Sequence, residues 1–131
     1  MTSEREEMIR YRVGRARQAV AAAETLLSVG DLNGTTNRIY YACFYVVTAL
    51  LLSEGESSSK HKGVLSLFDQ HWVHTGRVPR AMSRFYHRLF DQRLRGDYDD
   101  FVAFEPADVA AWLAEAREFV ETIAVLLGKT A

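Results

Sequence analysis

The sequence predicts an all-α fold: one domain over residues 1–131, built as a mostly antiparallel bundle of four to five helices. Three observations lead there. Between residues 39 and 52 only Thr48 is neither apolar nor aromatic, so no polar face exists at helical or strand period and the segment must be wrapped on every side. Val109, Trp112, Leu113, Ala116, Phe119, Val120, Ile123 and Leu127 make a stripe at the helical period. No stretch alternates polar and apolar residues as a half-buried strand does.

Each element follows from its own signals. Helix one starts at Ser3, where Glu6 completes a Ser-x-x-Glu capping box and Glu4, Glu6 and Glu7 suit the positive helix end. Met8, Tyr11, Ala16, Ala19, Ala23 and Leu26 form its apolar side up to Gly30, with Arg10, Arg12, Arg15 and Arg17 outside. Residues 31–36 read as a turn plus N-cap, and the central helix then runs to about Glu54 and stops at Gly55. Helix three, from about Lys60, carries Val64, Leu65, Leu67, Phe68, Trp72 and Val73 and ends at Gly76. Helix four opens with Pro79, runs to Leu94 or Arg95, and is broken by Gly96. Residues 97–104 form an acidic and aromatic connection, after which Pro106 opens helix five, ending at Gly128.

Composition narrows the function classes. The apolar run is shorter than the roughly 20 residues a membrane span needs, so a membrane partner is not expected. Cys43 is the single cysteine and sits inside that run, which suits a small buried hydrophobe in a reducing, cytoplasmic setting. The N-terminal residues are acidic and lack an apolar signal region. Net charge is −1, yet residues 96–131 hold eight Asp/Glu against two Lys/Arg, while residues 1–95 hold fourteen Lys/Arg against nine Asp/Glu. That asymmetry suits an anionic partner on one surface, or mutual neutralisation of the two parts.

Helix four carries the most chemical information. At about 100° per residue, Phe85, Tyr86, Leu89 and Arg93 fall with Met82 on one side, and Arg80, Arg84, Arg88 and Arg95 on the other. Four arginines thus make a solvated basic stripe, while Arg93 projects from the apolar face, where a guanidinium needs a partner. Asp97 and Asp99 are the local candidates, for an ion pair that is either structural or functional. Arg38 is placed in the first turn of the central helix, against the helix dipole, where Thr35, Thr36 and free backbone N–H groups could complete an anion site. Its other reading is an arginine reaching surface carboxylates. His71 and His74 are three residues apart, but the absence of any Glu-x-x-His, Gly-rich phosphate loop or Gly-x-Ser-x-Gly elbow leaves no metal or cofactor expected.

Five pieces stand together in order and spacing: Asn37-Arg38-x-Tyr40-Tyr41-Ala42-x-Phe44, Ala49-Leu50-Leu51, His61-Lys62-Gly63-x-x-x-Leu67-Phe68, Arg93-x-x-x-Asp97-Tyr98 and Ala116-x-x-Phe119-Val120. With them the chain resembles the bacterial and archaeal HEPN-domain proteins, in the branch with an Arg-x-x-x-Asp-Tyr signature, over about residues 8 to 127. The resemblance implies a helical bundle that forms a homodimer. It further implies a module of a toxin–antitoxin-like system that acts with a minimal nucleotidyltransferase and binds RNA or nucleotide at a dimer groove. Two alternatives stay open, a metal-independent ribonuclease using the same groove and a non-catalytic dimerising module.

Residue by residue, the resemblance carries Arg93 over as the arginine of the catalytic Arg-x(4–6)-His pattern. No histidine follows His87, and Asp97 and Tyr98 stand about where it would be. Arg93, Asp97 and Tyr98 are therefore the candidate catalytic residues. Arg38, His61, Lys62, Arg84, Arg88 and Arg95 are the candidate RNA or nucleotide contacts. Arg80 and His87 also satisfy the spacing literally, upstream of the family position. Tyr98 lies near, though not at, the place of a tyrosine that the partner adenylylates in some relatives.

Overall fold

The computed structural model describes residues 3–100 and 102–130; Met1, Thr2, Phe101 and Ala131 lie outside the described residues. Five α-helices follow in order: α1 (Glu4–Ser28), α2 (Leu32–Ser53), α3 (His61–Phe68), α4 (Arg80–Tyr98) and α5 (Pro106–Thr130). A π-helical turn, Asp69–Val73, continues α3 directly. Among the described residues no helix is long and apolar enough to cross a membrane.

The central position of α2 follows from its composition. It packs against α1, α5, α4 and α3, and Ile39, Tyr40, Ala42, Cys43, Val46, Val47, Ala49 and Leu50 are all fully buried. Burial pushes the Cys43 thiol far up, so it stays a protonated apolar group. The closest partner is α1, which buries Ala16, Ala19, Val20 and Ala23. Small side chains on that face let two helix backbones approach closely. Ile9 and Val13 complete the apolar side, whereas Met8 and Tyr11, expected there from spacing, are 44% and 58% exposed.

Three boundaries differ from expectation or match it for a local reason. Ser3 caps α1 as predicted, its Oγ accepting from the Glu6 amide at 3.1 Å. Residues 31–36, however, are not a turn: Asp31 caps α2 itself, accepting from the Gly34 amide at 2.8 Å. The Thr35 and Thr36 hydroxyls donate back to the Asp31 and Leu32 carbonyls, so they belong to the helix. Gly96 does not break α4, which runs on to Tyr98. A Cβ there would collide with Asn33 Oδ1 and lie 3.2 Å from Phe104, so this glycine is needed for close approach. Asn33 uses the space to donate to the Gly96 carbonyl at 3.0 Å, tying the start of α2 to the end of α4.

Ala16→Leu tests the close approach of α1 and α2. Overpacking at this fully buried position should cost about 1–3 kcal/mol in urea unfolding. An unchanged midpoint would mean that the small-residue face is incidental.

Candidate functional site

Helices α2, α3 and α4 converge on two adjacent tyrosines. Successive helical residues diverge by about 100°, so Tyr40 enters the core while Tyr41 stays at its rim. From α4, the Arg93 guanidinium carbon lies 4.6 Å from the Tyr40 ring centroid and 5.9 Å from that of Tyr41. The side chain is only 11% exposed, on the apolar side of α4 as the periodicity predicts. Its Nη1 reaches Asp97 Oδ2 at 3.3 Å, and its buried Nε has no hydrogen-bond partner among the described residues. A cation over aromatic faces with one long ionic contact retains unused donor capacity.

Arg38 meets the same rings from within α2. Its guanidinium carbon lies 4.9 Å from the Tyr41 centroid, and Nε and Nη2 both donate to Asn37 Oδ1 at 3.1 and 2.8 Å. Because α2 begins at Leu32, Arg38 is not in the first turn. The anion site expected from Thr35, Thr36 and free backbone amides does not form, since both threonines are buried and bonded inside the helix. What forms instead is a pair of guanidinium groups sharing the Tyr41 ring. Two like charges so placed favour an anion between or beside them.

The third helix brings an imidazole. His61, the first residue of α3, places Nδ1 2.7 Å from the Tyr40 hydroxyl and stacks on Phe44 with centroids 4.4 Å apart and planes 9° from parallel. Its ring centroid is 5.7 Å from Tyr40 and 5.8 Å from Tyr41, the two rings that Arg93 covers. Burial, and then the Arg93 charge, hold the His61 pKa below its ordinary 6.5, so the ring is neutral at neutral pH. Burial likewise pushes the Tyr40 hydroxyl up to about 12, against the pull of Arg93, so the phenol keeps its proton.

The structure therefore brings together Arg38, His61, Arg93 and Asp97. Lys62, Arg84, Arg88 and Arg95 are exposed, Arg95 donating to Gln92 at 3.0 Å. Tyr98 is 77% exposed at the end of α4. Arg80 is exposed and His87 is held by Asp69 at 2.6 Å, a carboxylate that also accepts from Ser83 at 2.6 Å, so that histidine braces α4 against the π-helical turn. His71 pairs with Glu56 at 3.1 Å. Among the described residues no group of three His, Cys, Asp or Glu is placed to hold a metal ion.

Sequence reasoning missed the tyrosines themselves and a neighbouring pocket. Arg15 donates to the Tyr11 and Tyr45 hydroxyls at 3.0 and 2.9 Å and lies over the Tyr45 ring. These residues, with Arg12, Phe44 and Ser58, line a pocket of about 290 Å³. Signals existed: phenols inside a buried apolar run require polar partners, and Tyr11 and Arg15 stand four apart on one helix face.

Comparison with known proteins gives concordant results. The sequence pattern of the HEPN domain matches residues 9–126. The chain is 43% identical over 125 residues to a UPF0332 protein of Thermotoga maritima, covering 95% of each chain. A UPF0332 protein of Gloeobacter violaceus is 39% identical over 101 residues, 75% of each. A Methanocaldococcus jannaschii protein named "putative toxin" is 26% identical over 108 residues, 82% of this chain and 74% of that one.

NMR titration of the His61 ring tests the electrostatics of the cluster, in which Tyr40 and Tyr41 of α2 and Arg93 of α4 face the imidazole. The midpoint should fall below 6.5 in the wild type and rise in Arg93→Gln, because removing the cation relieves the repulsion of the protonated ring. An unmoved midpoint would show that Arg93 does not act on His61.

Proposed function

The chain belongs to the HEPN domain family, and on that premise we propose that it is a toxin-like module that binds RNA or a nucleotide and acts with a minimal nucleotidyltransferase. The binding groove is lined by Arg38, Arg93, Asp97 and Tyr98, with a second copy of the chain completing it as a homodimer. The observation that carries this reading is Arg93, held 11% exposed over Tyr40 with its Nε unpartnered among the described residues. A structural guanidinium in such a place would be expected to saturate its donors with protein acceptors. Nε is closed to an incoming group, so the terminal nitrogens, with one 3.3 Å contact to Asp97, are the donors a phosphate would meet, and Arg38 stands on the next ring. The toxin name of the Methanocaldococcus jannaschii relatives supports the same class.

One observation favours a second reading, metal-independent RNA cleavage in the same groove. His61, neutral and half-buried, lies against the tyrosines that Arg93 covers.

Binding of labelled single-stranded RNA, followed by fluorescence anisotropy at several salt concentrations, tests the proposal. Arg93→Ala should weaken binding about tenfold or more, the scale of one missing charge-assisted hydrogen bond. Charge reversal at Arg84 and Arg88 should weaken it further and flatten the salt dependence, by about 0.7 in slope for each phosphate no longer neutralised. Absence of RNA binding by the wild type would overturn the proposal. So would an Arg93→Ala variant that is less stable but binds equally well, leaving a dimerising module with structural charges. A nucleotidyltransferase that co-purifies with the chain would support the partner, and one that fails to bind it when co-expressed would remove it.

A further inference from the structure

The pocket between Tyr11 and Tyr45 offers hydrogen-bond donors that the protein itself does not use. Arg15 donates from Nη1 to the Tyr11 hydroxyl at 3.0 Å and from Nη2 to the Tyr45 hydroxyl at 2.9 Å, so both phenols serve it as acceptors. Neither phenolic proton has an acceptor of its own among the described residues. A phenol that accepts from a cation is polarised by it and donates more strongly outward. Arg15 also keeps N–H groups beyond the two so used. Among the described residues no carboxylate lines the pocket to absorb these donors.

Size and surroundings narrow what could use them. Phe44, Leu51 and Val64 make the pocket apolar inside, and its volume of about 290 Å³ is at the small end of the roughly 300–1,000 Å³ of small-molecule sites. It admits one ring system and not a whole nucleotide. The guanidinium carbon of Arg15 lies 4.8 Å from the Tyr45 centroid and 5.9 Å from that of Tyr11. Tyr45 and Tyr41 stand four apart on α2 with centroids 5.9 Å apart. Tyr41 in turn carries Arg38 at 4.9 Å and Arg93 at 5.9 Å. A short aromatic row therefore leads from the two guanidiniums of the candidate site to the donors of this pocket.

We propose that this pocket selects guanine in single-stranded RNA whose backbone lies on Arg38 and Arg93; the inference rests on the RNA-binding reading above and names the base that the groove prefers. An unstacked base packs against the rings of Tyr11 and Tyr45, as bases of single strands do on aromatic side chains. It turns one edge to the two phenolic protons and the remaining N–H groups of Arg15. Guanine carries two adjacent acceptors, N7 and O6, with no donor on that edge, and a guanidinium meets this pair more often than any other base contact. Adenine sets its N6 amino group beside N7, cytosine presents its N4 amino group, and uracil has O4 alone. Each of these leaves a donor facing a donor or a donor unmet.

The experiment titrates the full chain into labelled short RNAs: a uridine-only strand, and the same strand with one internal uridine replaced by guanosine, adenosine or cytidine. The wild type should hold the guanosine strand about tenfold more tightly than the other three, the scale of one bidentate base contact. Inosine at that position keeps O6 and N7 and should bind like guanosine, whereas 7-deazaguanosine lacks N7 and should bind like the others. Arg15→Met removes the guanidinium and leaves an apolar side chain of similar reach, and should bring the guanosine and uridine strands within about twofold of each other. A purely structural Arg15 would not move that ratio. The altered bases need no protein variant, so they decide the matter even if Arg15→Met does not fold. No preference for guanosine, inosine binding like uridine, 7-deazaguanosine binding like guanosine, or a preference kept by folded Arg15→Met would each overturn the inference and leave RNA binding standing. Failure to bind any strand would overturn both.

Discussion

The contact around which the candidate site is arranged is the guanidinium of Arg93 lying over the ring of Tyr40. It meets the central helix from α4 where the fully buried Tyr40 adjoins the half-buried Tyr41. Around it the other parts fall into register. Asn33 reaches the Gly96 carbonyl and fixes the ends of both helices, and Gly96 leaves room for that approach. His61 enters from α3 and meets the Tyr40 hydroxyl, so one side chain of α2 is shared by α3 and α4. The hydroxyl serves the imidazole while the π face serves the cation.

That division decides the electrostatics. A charge next to a neutral base keeps the base neutral, and burial acts in the same direction on His61. The phenol between them resists ionisation because it is itself buried, so the pair cannot collapse into a phenolate–guanidinium ion pair. Asp97 is the one carboxylate in contact with Arg93 among the described residues, and at 3.3 Å it is a loose partner. The result is a cation and a neutral base on one aromatic floor, each with capacity left for an incoming group.

Much of the fold was legible because burial dictates pattern. The unbroken apolar run marked α2 as central, and the stripe from Val109 to Leu127 marked α5; both are buried as their periods require. The placement of Arg93 on the inner side of α4 was legible for the same reason. Two local rules misled. Gly96 looks like a helix stop, but the deciding constraint is contact with Asn33, more than sixty residues away. The threonines after Asp31 look like a turn, but their hydroxyls return to helix carbonyls, which moved Arg38 out of the first turn. The largest omission was the meeting of His61 with Tyr40. Spacing along a single helix cannot reveal a pairing across twenty-one positions and a loop, although three phenols in a buried run signal that polar partners must come from elsewhere.

The central claim is that Arg93 is held in its place for binding and not for support. The most direct measurement is the unfolding free energy of Arg93→Met, an apolar side chain of comparable reach laid over the same rings. Asp97, exposed, is readily solvated without its partner, so stability should stay within about 1 kcal/mol of the wild type or rise. A loss of about 3 kcal/mol or more would identify the guanidinium as a structural staple and contradict the account.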